Sequence, residues 1–389
     1  MKEITITALE EGQRLDRVLQ RYLPRASAGF LYKMLRKKNI TLNGKKADGK
    51  EKLCREDTIR IFFAPQTLEK FSAPSEETIW PSAKLEIVYE DDQVLLVNKP
   101  AGMLTQKAVP GDVSLNEYAI GYLLSSGCLR KEDLQSFRPS VCNRLDRNTS
   151  GIVAVGKTTA ALQELSLMLR ERTVHKYYQA LVTGRVEKEE TVDAYLIKDE
   201  KKNRVRIMPV PDAAPPGRTG TDTAAQTGTD LEARIGTDTA AQTGAGSGAG
   251  ARTGSAAVPD RGSKNHDSDH DRRGLRIRTR YSPAAHGMDA EGHELTLLDI
   301  ELITGRSHQI RAHLASVGHP VVGDPKYGSR RSNAYFHRVY GLDRQLLHAG
   351  RIAFTKKDGA LGYLCGREFT APLPEHFRRI LDEEHIKKN

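Results

Sequence analysis

Apolar residues in the first 65 positions repeat with the periods of short strands and short helices. Isoleucine and threonine alternate over 4–7, which predicts a strand. Leu15, Val18 and Leu19 share one face of a predicted helix, and Ser27 is a candidate N-cap for a second helix. The beginning of the chain therefore has the pattern of a small module of helices and strands.

This predicted module is strongly basic. Residues 1–65 hold 15 Lys and Arg against 8 Asp and Glu, whereas the net charge of the whole chain is +10. A strand that ends in an Asn43-Gly44 turn follows the second helix, and another strand is predicted over 58–62. A basic helix beside a tight turn can bind phosphates without reading bases; the alternative is a solvated basic helix with no ligand. The cations expected on this surface are Lys33, Arg36, Lys37, Lys38 and Lys45.

Changes in composition mark the next boundary. Residues 65–83 contain three prolines among mostly polar residues, so we interpret 66–83 as a linker. A second, larger domain is expected over 84–389, in which the apolar run 94–97 predicts a buried strand. A chain of 389 residues can bury enough apolar surface that neither domain requires a disulfide or a metal.

Residues 211–272 differ from the rest of the chain. They are rich in Gly, Ala, Thr and Asp, and the polar unit GTDTAAQTG occurs at 220–228 and again at 236–244. Two polar copies cannot stack into a solenoid, so we expect a disordered insertion whose ends lie close together on one domain. The His/Asp cluster at 266–271 could ligate a metal, but a solvated run is the favoured interpretation.

Composition argues against several classes of protein. The four cysteines show no CxxC spacing, which disfavours a zinc site and agrees with reduced thiols in the cytosol. No apolar stretch approaches the roughly 20 residues of a membrane span, and no secretory signal is recognisable. We therefore expect a cytoplasmic protein without a zinc site, and the net charge of +10 suggests a polyanion as its partner.

The segment 143–152 carries the most distinctive polar chemistry of the chain. Asp146 lies between Arg144 and Arg147, and a polar turn then leads into the apolar run 152–155, a predicted buried strand. A carboxylate flanked by cations at the mouth of a strand is suited to stay ionised and to meet an anionic ligand. A surface Arg–Asp pair is the alternative for such a tripeptide taken alone.

Two further segments place functional groups beside predicted strands. Alternation over 176–182 puts Tyr178 on the inner face of a strand, where a phenol needs a polar partner or a ligand unless it is an ordinary core tyrosine. The element 304–314 has helical spacing from 308 onward and concentrates more cations and donors than stability requires. Those side chains are Arg306, His308, Gln309, Arg311 and His313.

Together these segments resemble the RluA/RluC/RluD family of RNA pseudouridine synthases. The resemblance covers nearly the whole chain outside 211–272, through VYEDDQVLLVNKPAG, NRLDRNTSGIVAVGK, KYYQALVTG, LITGRSHQIRAHLASVGHPVVGDPKYG, LLHAGRIAF and FTAPLPEHF. The basic module resembles the S-four-like RNA-binding domain through RLD, SAGFLYKMLRKKNITLNGKKA and EDTIRIFF. Asn143 and Ser307 depart from the His and Thr that are common in the family, which affects geometry around the site rather than a catalytic group.

The resemblance implies a fold and a reaction. The fold is α+β, with an S-four-like domain over 1–65 and a catalytic domain over 84–389 built on a long mixed, mostly antiparallel sheet flanked by helices. In the reaction the glycosidic C–N bond of a uridine breaks, the uracil turns, and a ring carbon is joined to the sugar, without a cofactor. The implied partner is RNA, and the S-four-like domain favours large-subunit ribosomal RNA. A monomer is the default expectation.

The resemblance also assigns roles to single residues. Asp146 is the essential carboxylate, which either attacks the anomeric carbon or takes a sugar proton; both remain open. Tyr178 stacks on the base and helps to remove the proton at the new C–C bond, while Arg311 pairs with the aspartate and fixes its direction. Arg144 enters the space that the extruded base leaves. Contacts with the RNA are also expected from Arg147, Arg306, His308 and Gln309.

Three alternatives to this function are distinguishable. A ribosome-assembly factor could keep the fold and bind RNA without chemistry, although it would have no need for Asp146, Tyr178 and Arg311 together. A synthase acting on transfer RNA would differ in substrate alone. A hydrolase using Asp146 with His308 or His313 is disfavoured, because no serine or cysteine nucleophile motif accompanies them.

Overall fold

The computed structural model describes most of the chain in several stretches. The described residues are 1–7, 10–72, 80–81, 84–109, 111–135, 137–199, 204–210 and 274–386. The insertion predicted at 211–272 lies outside them, as does the His/Asp cluster that it contains.

The N-terminal module is a three-stranded antiparallel sheet covered by two helices. The strands are β1 (Lys2–Thr5), β2 (Ile40–Leu42) and β3 (Thr58–Ile61), in the order β1-β3-β2. The helices α1 (Leu15–Tyr22) and α2 (Ala28–Arg36) bury the apolar faces that the sequence pattern predicted. The module has its own core of aliphatic side chains, so its sheet and helices stabilise each other.

Local chemistry explains where the elements of this module begin and end. The Ser27 hydroxyl accepts a hydrogen bond from the backbone N–H of Phe30, which confirms the predicted N-cap of α2. Asn43 and Gly44 have φ values of 50° and 72°, as a two-residue hairpin turn requires.

The predicted linker is wrong at its start. Residues Pro65–Ser72 form helix α3, and Leu68 and Phe71 of this helix pack against the core of the module. The ring of Phe71 lies 4.5 Å from that of Phe30. The three prolines concealed an apolar pair at helical spacing, so the module continues at least to Ser72.

The rest of the described chain is built on an eleven-stranded sheet. Its strands follow the order β10-β9-β11-β12-β8-β13-β7-β5-β4, with β14 added to β13 and β6 added to β7. Within the described residues the β13–β7 pair is parallel and every other pair is antiparallel, as expected for a mixed, mostly antiparallel sheet. The strands are β4 (Glu86–Glu90), β5 (Val94–Lys99), β6 (Ser140–Val141), β7 (Ser150–Gly156), β8 (Val174–Thr183), β9 (Glu190–Asp199), β10 (Arg204–Pro209), β11 (Leu275–Met288), β12 (Glu294–Leu302), β13 (Leu347–Phe354) and β14 (Glu368–Thr370).

Helices cover this sheet and complete its cores. Strands β5 and β7 are buried at every position, because alternate residues enter two different apolar clusters on the two faces of the sheet. None of the described helices is long and apolar enough to cross a membrane. The helices are α4 (Leu115–Ser125), α5 (Thr159–Glu171), α6 (Gln309–Ser316), α7 (Arg330–Tyr340) and α8 (Glu375–Glu383), and two 3₁₀ helices span Glu132–Gln135 and Gly362–Leu364.

Gly151 permits close contact between β7 and β13. Its φ is +120°, and a Cβ atom at this position would lie 2.3 Å from the carbonyl oxygen and 2.5 Å from the nitrogen of Ala349. Such distances exclude any side chain without movement of one strand. Glycine is therefore required where these two strands run in parallel.

The strands that flank the insertion lie next to the same neighbour. Strand β10 pairs with one edge of β9 and β11 with the other, and both Pro209 and Ile277 are opposite Ala194. Strands in a sheet are about 4.8 Å apart, so these two positions are separated by about two such spacings. This agrees with the expectation that the ends of the insertion lie close together.

Candidate active site

The loop between β6 and β7 is rigidly held and carries Asp146. Its turn is closed by a hydrogen bond from the backbone N–H of Thr149 to the carbonyl oxygen of Asp146, 3.0 Å long. The Thr105 hydroxyl donates to the carbonyl of Leu145 at 2.8 Å and accepts from the N–H of the same residue at 3.2 Å. These bonds fix the backbone on both sides of the carboxylate.

Asn143 shows how a departure from the family pattern is accommodated. Its side-chain oxygen accepts from the N–H of Ala154 at 2.8 Å, and its amide donates to the carbonyl of Ile152 at 3.2 Å. The side-chain amide therefore bonds to the backbone of β7 as a neighbouring strand would. Both hydrogen bonds depend on the side-chain amide.

Lys99, at the end of β5, is buried beneath this loop. Its ammonium donates to the carbonyl oxygens of Pro100 and Met103 at 2.9 Å and to that of Arg147 at 3.2 Å. Burial lowers the pKa of Lys99 to about 7, although the nearby charge of Asp146 opposes the shift. The lysine joins the loop of 100–103 to the loop of Asp146.

Arg311 connects two carboxylates. Its Nε and Nη2 donate to the two oxygens of Asp324 at 2.6 and 2.7 Å, and its Nη1 donates to Oδ2 of Asp146 at 2.9 Å. The side chain of Asp324 is fully buried, that of Arg311 is 5% exposed and that of Asp146 is 28% exposed. The bidentate pair thus orients the guanidinium, and its remaining nitrogen faces the more accessible carboxylate.

The charges in this trio support each other. Burial disfavours the charged guanidinium, but its hydrogen bonds and Coulombic attraction to Asp324 and Asp146 outweigh burial and raise the pKa of Arg311. Burial likewise opposes ionisation of Asp324, yet the guanidinium and the N–H groups of Lys326 and Tyr327 lower its pKa. Both members of the inner pair are therefore ionised at neutral pH.

Tyr178 lies on the inner face of β8 and lines the same cavity as Asp146. Ala180 and Val182 are buried on that face too, which confirms the predicted alternation. Burial, with a further contribution from the charge of Asp146, raises the pKa of Tyr178, so the phenol is neutral. In the described part of the chain no group forms a hydrogen bond with its hydroxyl.

The segment before α6 shapes another wall of the cavity. His308 adopts a left-handed conformation with φ of 55°, and its Nδ1 lies 3.0 Å from the hydroxyl of Tyr327. Burial and the neighbouring cations Arg311 and Lys326 lower the pKa of His308, against an opposing effect of Asp146. A neutral imidazole is therefore available to a ligand at neutral pH.

Gln309 and His313 are engaged inside the protein. The oxygen of the Gln309 amide accepts from the hydroxyl of Thr304, and its nitrogen donates to the hydroxyl of Thr279. The predicted contact of Gln309 with RNA stays a prediction. His313 is bonded to Thr279 rather than to Asp146, and burial lowers its pKa to about 4. A hydrolase that pairs Asp146 with His313 has no support from this geometry.

These walls enclose a cavity of about 890 Å³ with a strongly cationic lining. Asp146 is the sole acidic residue among its described lining residues, and Arg144, Arg147 and Arg306 are exposed at its edge. Such a balance favours a polyanionic ligand. The nine lining cations are Arg144, Arg147, Arg170, Arg172, Lys176, Lys198, Arg306, Arg311 and Lys326.

The five cations predicted on the N-terminal module form a separate group. All five are exposed: Lys33 and Arg36 lie on α2, Lys37 and Lys38 in the turn that follows it, and Lys45 on the β2–β3 connection. None of them is among the described residues that line the cavity.

Sequence reasoning missed several residues of this site. Lys99 and Asp324 lie in segments that resemble the family, but the sequence assigns them no function. Arg170 and Arg172 lie outside those segments. A lysine two positions after the apolar run 94–97 is a signal for a buried charge that is hydrogen-bonded inside the protein. The arginines at the end of α5 carried no comparable signal, because cations are common in the last turn of a helix.

Comparisons with known proteins identify the family. A family model described as RNA pseudouridylate synthase matches residues 93–316. The chain is 30% identical over 381 residues to the ribosomal large subunit pseudouridine synthase C of Vibrio cholerae, covering 95% of this chain and 92% of that protein. It is 27% identical to the ribosomal large subunit pseudouridine synthase D of Nitrosomonas europaea, covering 97% and 86%.

A solved structure supports the fold independently. The human RNA pseudouridylate synthase domain containing 4 superposes with a TM-score of 0.50 at 17% identity, covering 78% of this chain and 94% of that one. The family match extends over more than half of the chain, and the C-type and D-type relatives align along nearly all of it. The chain therefore belongs to the RluA-like family of RNA pseudouridine synthases, and it is an isomerase.

Proposed function

We propose that this pseudouridine synthase modifies specific uridines of large-subunit ribosomal RNA in the cytoplasm. The observation that carries the proposal is that Asp146, oriented by Arg311, is the one carboxylate among nine cations in the described lining of the cavity. The names of the C-type and D-type relatives specify the large subunit as their substrate. An RNA backbone fits the charge of the lining, because phosphate contacts supply most of the affinity for nucleic acids.

Asp146 acts at the sugar of the target uridine. It either attacks the anomeric carbon or takes a proton from the ribose, and both routes need an ionised carboxylate with a fixed direction. The hydrogen bond from Nη1 of Arg311 supplies that direction. Two hydrogen bonds to Asp324 hold the Arg311 guanidinium in place, so that it does not move when the substrate binds.

Tyr178 supports the second half of the reaction. After the glycosidic C–N bond has broken and the ring carbon has bonded to the sugar, that carbon must lose its proton while the ring nitrogen gains one. The neutral phenol can accept this proton only by passing its own proton to another group. Asp146, whose charge helps to raise the pKa of Tyr178, is the neighbouring carboxylate that would take the phenol proton.

Exposed cations hold the RNA around the extruded base. Arg144 is exposed at the edge of the cavity and enters the space that the base leaves in the RNA. Arg147, Arg306 and His308 contact the flanking nucleotides. Flipping the uridine costs a few kcal/mol, and least in loops and bulges, so unpaired regions are preferred.

The N-terminal module increases affinity for RNA without contributing to catalysis. Its exposed cations lie on the surface of α2 and the adjacent turn, where phosphates can be bound irrespective of sequence. Because this group is separate from the cavity, it binds a more distant part of the RNA.

A pair of pseudouridine maps tests the proposed substrate. Ribosomal and transfer RNA are compared between cells with and without the gene by chemical probing and primer extension. We expect one or more pseudouridines of large-subunit RNA to be missing in cells without the gene. The wild-type gene should restore them, and the Asp146→Asn gene should not. Changes confined to transfer RNA, or no change in any RNA, would overturn the proposal.

A further inference from the structure

Two cations of the cavity are located where α5 ends and β8 begins. Arg172 is the C-terminal capping residue of α5, and Lys176 is the third residue of β8. Both line the cavity that contains Asp146. The reaction proposed above uses neither side chain.

The conformation of Arg172 is unusual for its residue type. Its φ is 62° and its ψ is 28°, in the left-handed region, where glycine is the favoured residue at the end of a helix. A long charged side chain occupies this position although glycine would fit the backbone with less strain. The arginine side chain therefore has a use other than ending the helix.

Lys176 is half-buried, and its ammonium lies beside the segment that follows β12, the strand paired with β8. A Cβ atom placed on Gly305 would lie 3.3 Å from its Nζ, so the ammonium rests against a residue that has no side chain. Burial lowers the pKa of Lys176, and the nearby charge of Arg172 lowers it further. Within the described residues neither cation has a carboxylate partner, so they repel each other without compensation.

We propose that Lys176 and Arg172 together bind one backbone phosphate of the RNA, next to the nucleotide that enters the Asp146 pocket. An anion between the two cations would remove their repulsion and would receive charge-assisted hydrogen bonds from both. The missing side chain at Gly305 allows the sugar-phosphate chain to come close to the ammonium. The site would therefore fix the register of the RNA, because it holds a phosphate at a set distance from the catalytic carboxylate. This inference rests on the proposed RNA substrate.

Ethylation interference tests the proposal at the level of single phosphates. Fragments of large-subunit ribosomal RNA, sparsely ethylated on their phosphates, are separated into bound and free fractions with the full-length protein. With the wild-type protein we expect ethylation of a phosphate beside the modified uridine to exclude the RNA from the bound fraction. With Lys176→Met and with Arg172→Gly that signal should disappear, and the dependence of log K on log[salt] should become shallower by about 0.7–0.9.

Control variants separate this site from general effects of charge and folding. Lys176→Arg should restore the interference signal, whereas Lys188→Gln removes an exposed lysine that does not line the cavity and should leave pattern and salt dependence unchanged. Circular dichroism and a thermal melt establish that each variant is folded. An unaltered pattern in folded Lys176→Met and Arg172→Gly would overturn the proposal. So would firm retention of inorganic phosphate by the protein alone, because the ligand would then be a free anion.

Binding and modification are measured separately, so the two proposals can fail independently. An interference signal that depends on Lys176, in a protein that forms no pseudouridine in ribosomal RNA, would leave the phosphate site standing and reject the proposed substrate. Pseudouridine formation in ribosomal RNA without such a signal would support the proposed substrate and reject the phosphate site.

Discussion

Replacement of Asp324 by asparagine tests whether its ion pair with Arg311 supports both the fold and the orientation of the Asp146 carboxylate. The Asp324 side chain is fully buried and accepts two bonds from Arg311. An amide offers one oxygen, and its NH₂ group would face the N–H groups of the guanidinium. The variant therefore leaves a buried cation with an unmatched donor while keeping almost the same volume.

The expected magnitude follows from burial. Removing one partner of a buried ion pair costs about 3–5 kcal/mol. Because Asp146 still accepts a bond from Arg311, we expect the lower end, about 3 kcal/mol of unfolding free energy. Single-turnover pseudouridine formation should fall about 100-fold, the scale of a misplacement of about 1 Å, because Arg311 no longer fixes the direction of Asp146.

Urea denaturation followed by circular dichroism gives the stability, and single-turnover kinetics at saturating RNA give the rate. Asp343→Asn is a matched control, since Asp343 pairs with Arg344 while both side chains are well exposed. Such surface pairs are worth at most about 1 kcal/mol. Equal losses of stability in the two variants would refute the reasoning.

The difference between wild type and Asp324→Asn should also depend on pH. Burial opposes ionisation of Asp324, but the bonds from Arg311 and from backbone N–H groups lower its pKa below the unfolded value. A depressed carboxyl pKa contributes stability that is present above the unfolded pKa and is lost as pH falls through the folded value. The advantage of the wild type should be complete at pH 7 and shrink below about pH 4. A constant difference from pH 3 to pH 7 would contradict this mechanism.

Further predictions concern catalysis, strain and affinity. Asp146→Asn should abolish pseudouridine formation while RNA retention on filters stays close to wild type; retained activity would remove its catalytic role. Tyr178→Phe keeps an aromatic face but loses the hydroxyl, so substrate binding should persist while single-turnover product formation falls about 100-fold or more. Arg172→Gly should raise the unfolding free energy by about 1 kcal/mol, because it relieves a left-handed backbone, and a lower melting temperature would contradict that. Combined Arg36→Gln and Lys37→Gln replacements should weaken RNA affinity and make its salt dependence shallower, with no change in rate at saturating RNA.

Much of the architecture could be predicted from the sequence because local and global signals agree. The continuous apolar runs at 94–97 and 152–155 became strands buried on both faces, and Ser27 caps the helix that it was expected to begin. The resemblance also indicated the pairing of Asp146 with Arg311, which lie 165 positions apart in sequence. No residue pattern alone could have joined them.

The remainder depends on packing between distant segments. Asp324 reads as part of a polar turn, and only burial against Arg311 makes it the orienting partner of the site. Lys99 is the last residue of β5, and the carbonyl oxygens that accept its hydrogen bonds come from two loops that meet in space. The sequence does not predict helix α3, because the prolines outweigh the apolar pair Leu68 and Phe71, which packs against the module core.

Gly151, the last residue of the Asn-Thr-Ser-Gly turn, has a steric role in addition to the chemistry of the neighbouring residues. A methyl group at this position would collide with the backbone of Ala349 and would push β13 away from β7. The turn that carries Asp146 leads directly into β7, so a displacement of β7 would also move the segment that carries Asp146. The absence of a side chain at Gly151 is thus a condition for the correct position of the Asp146 carboxylate.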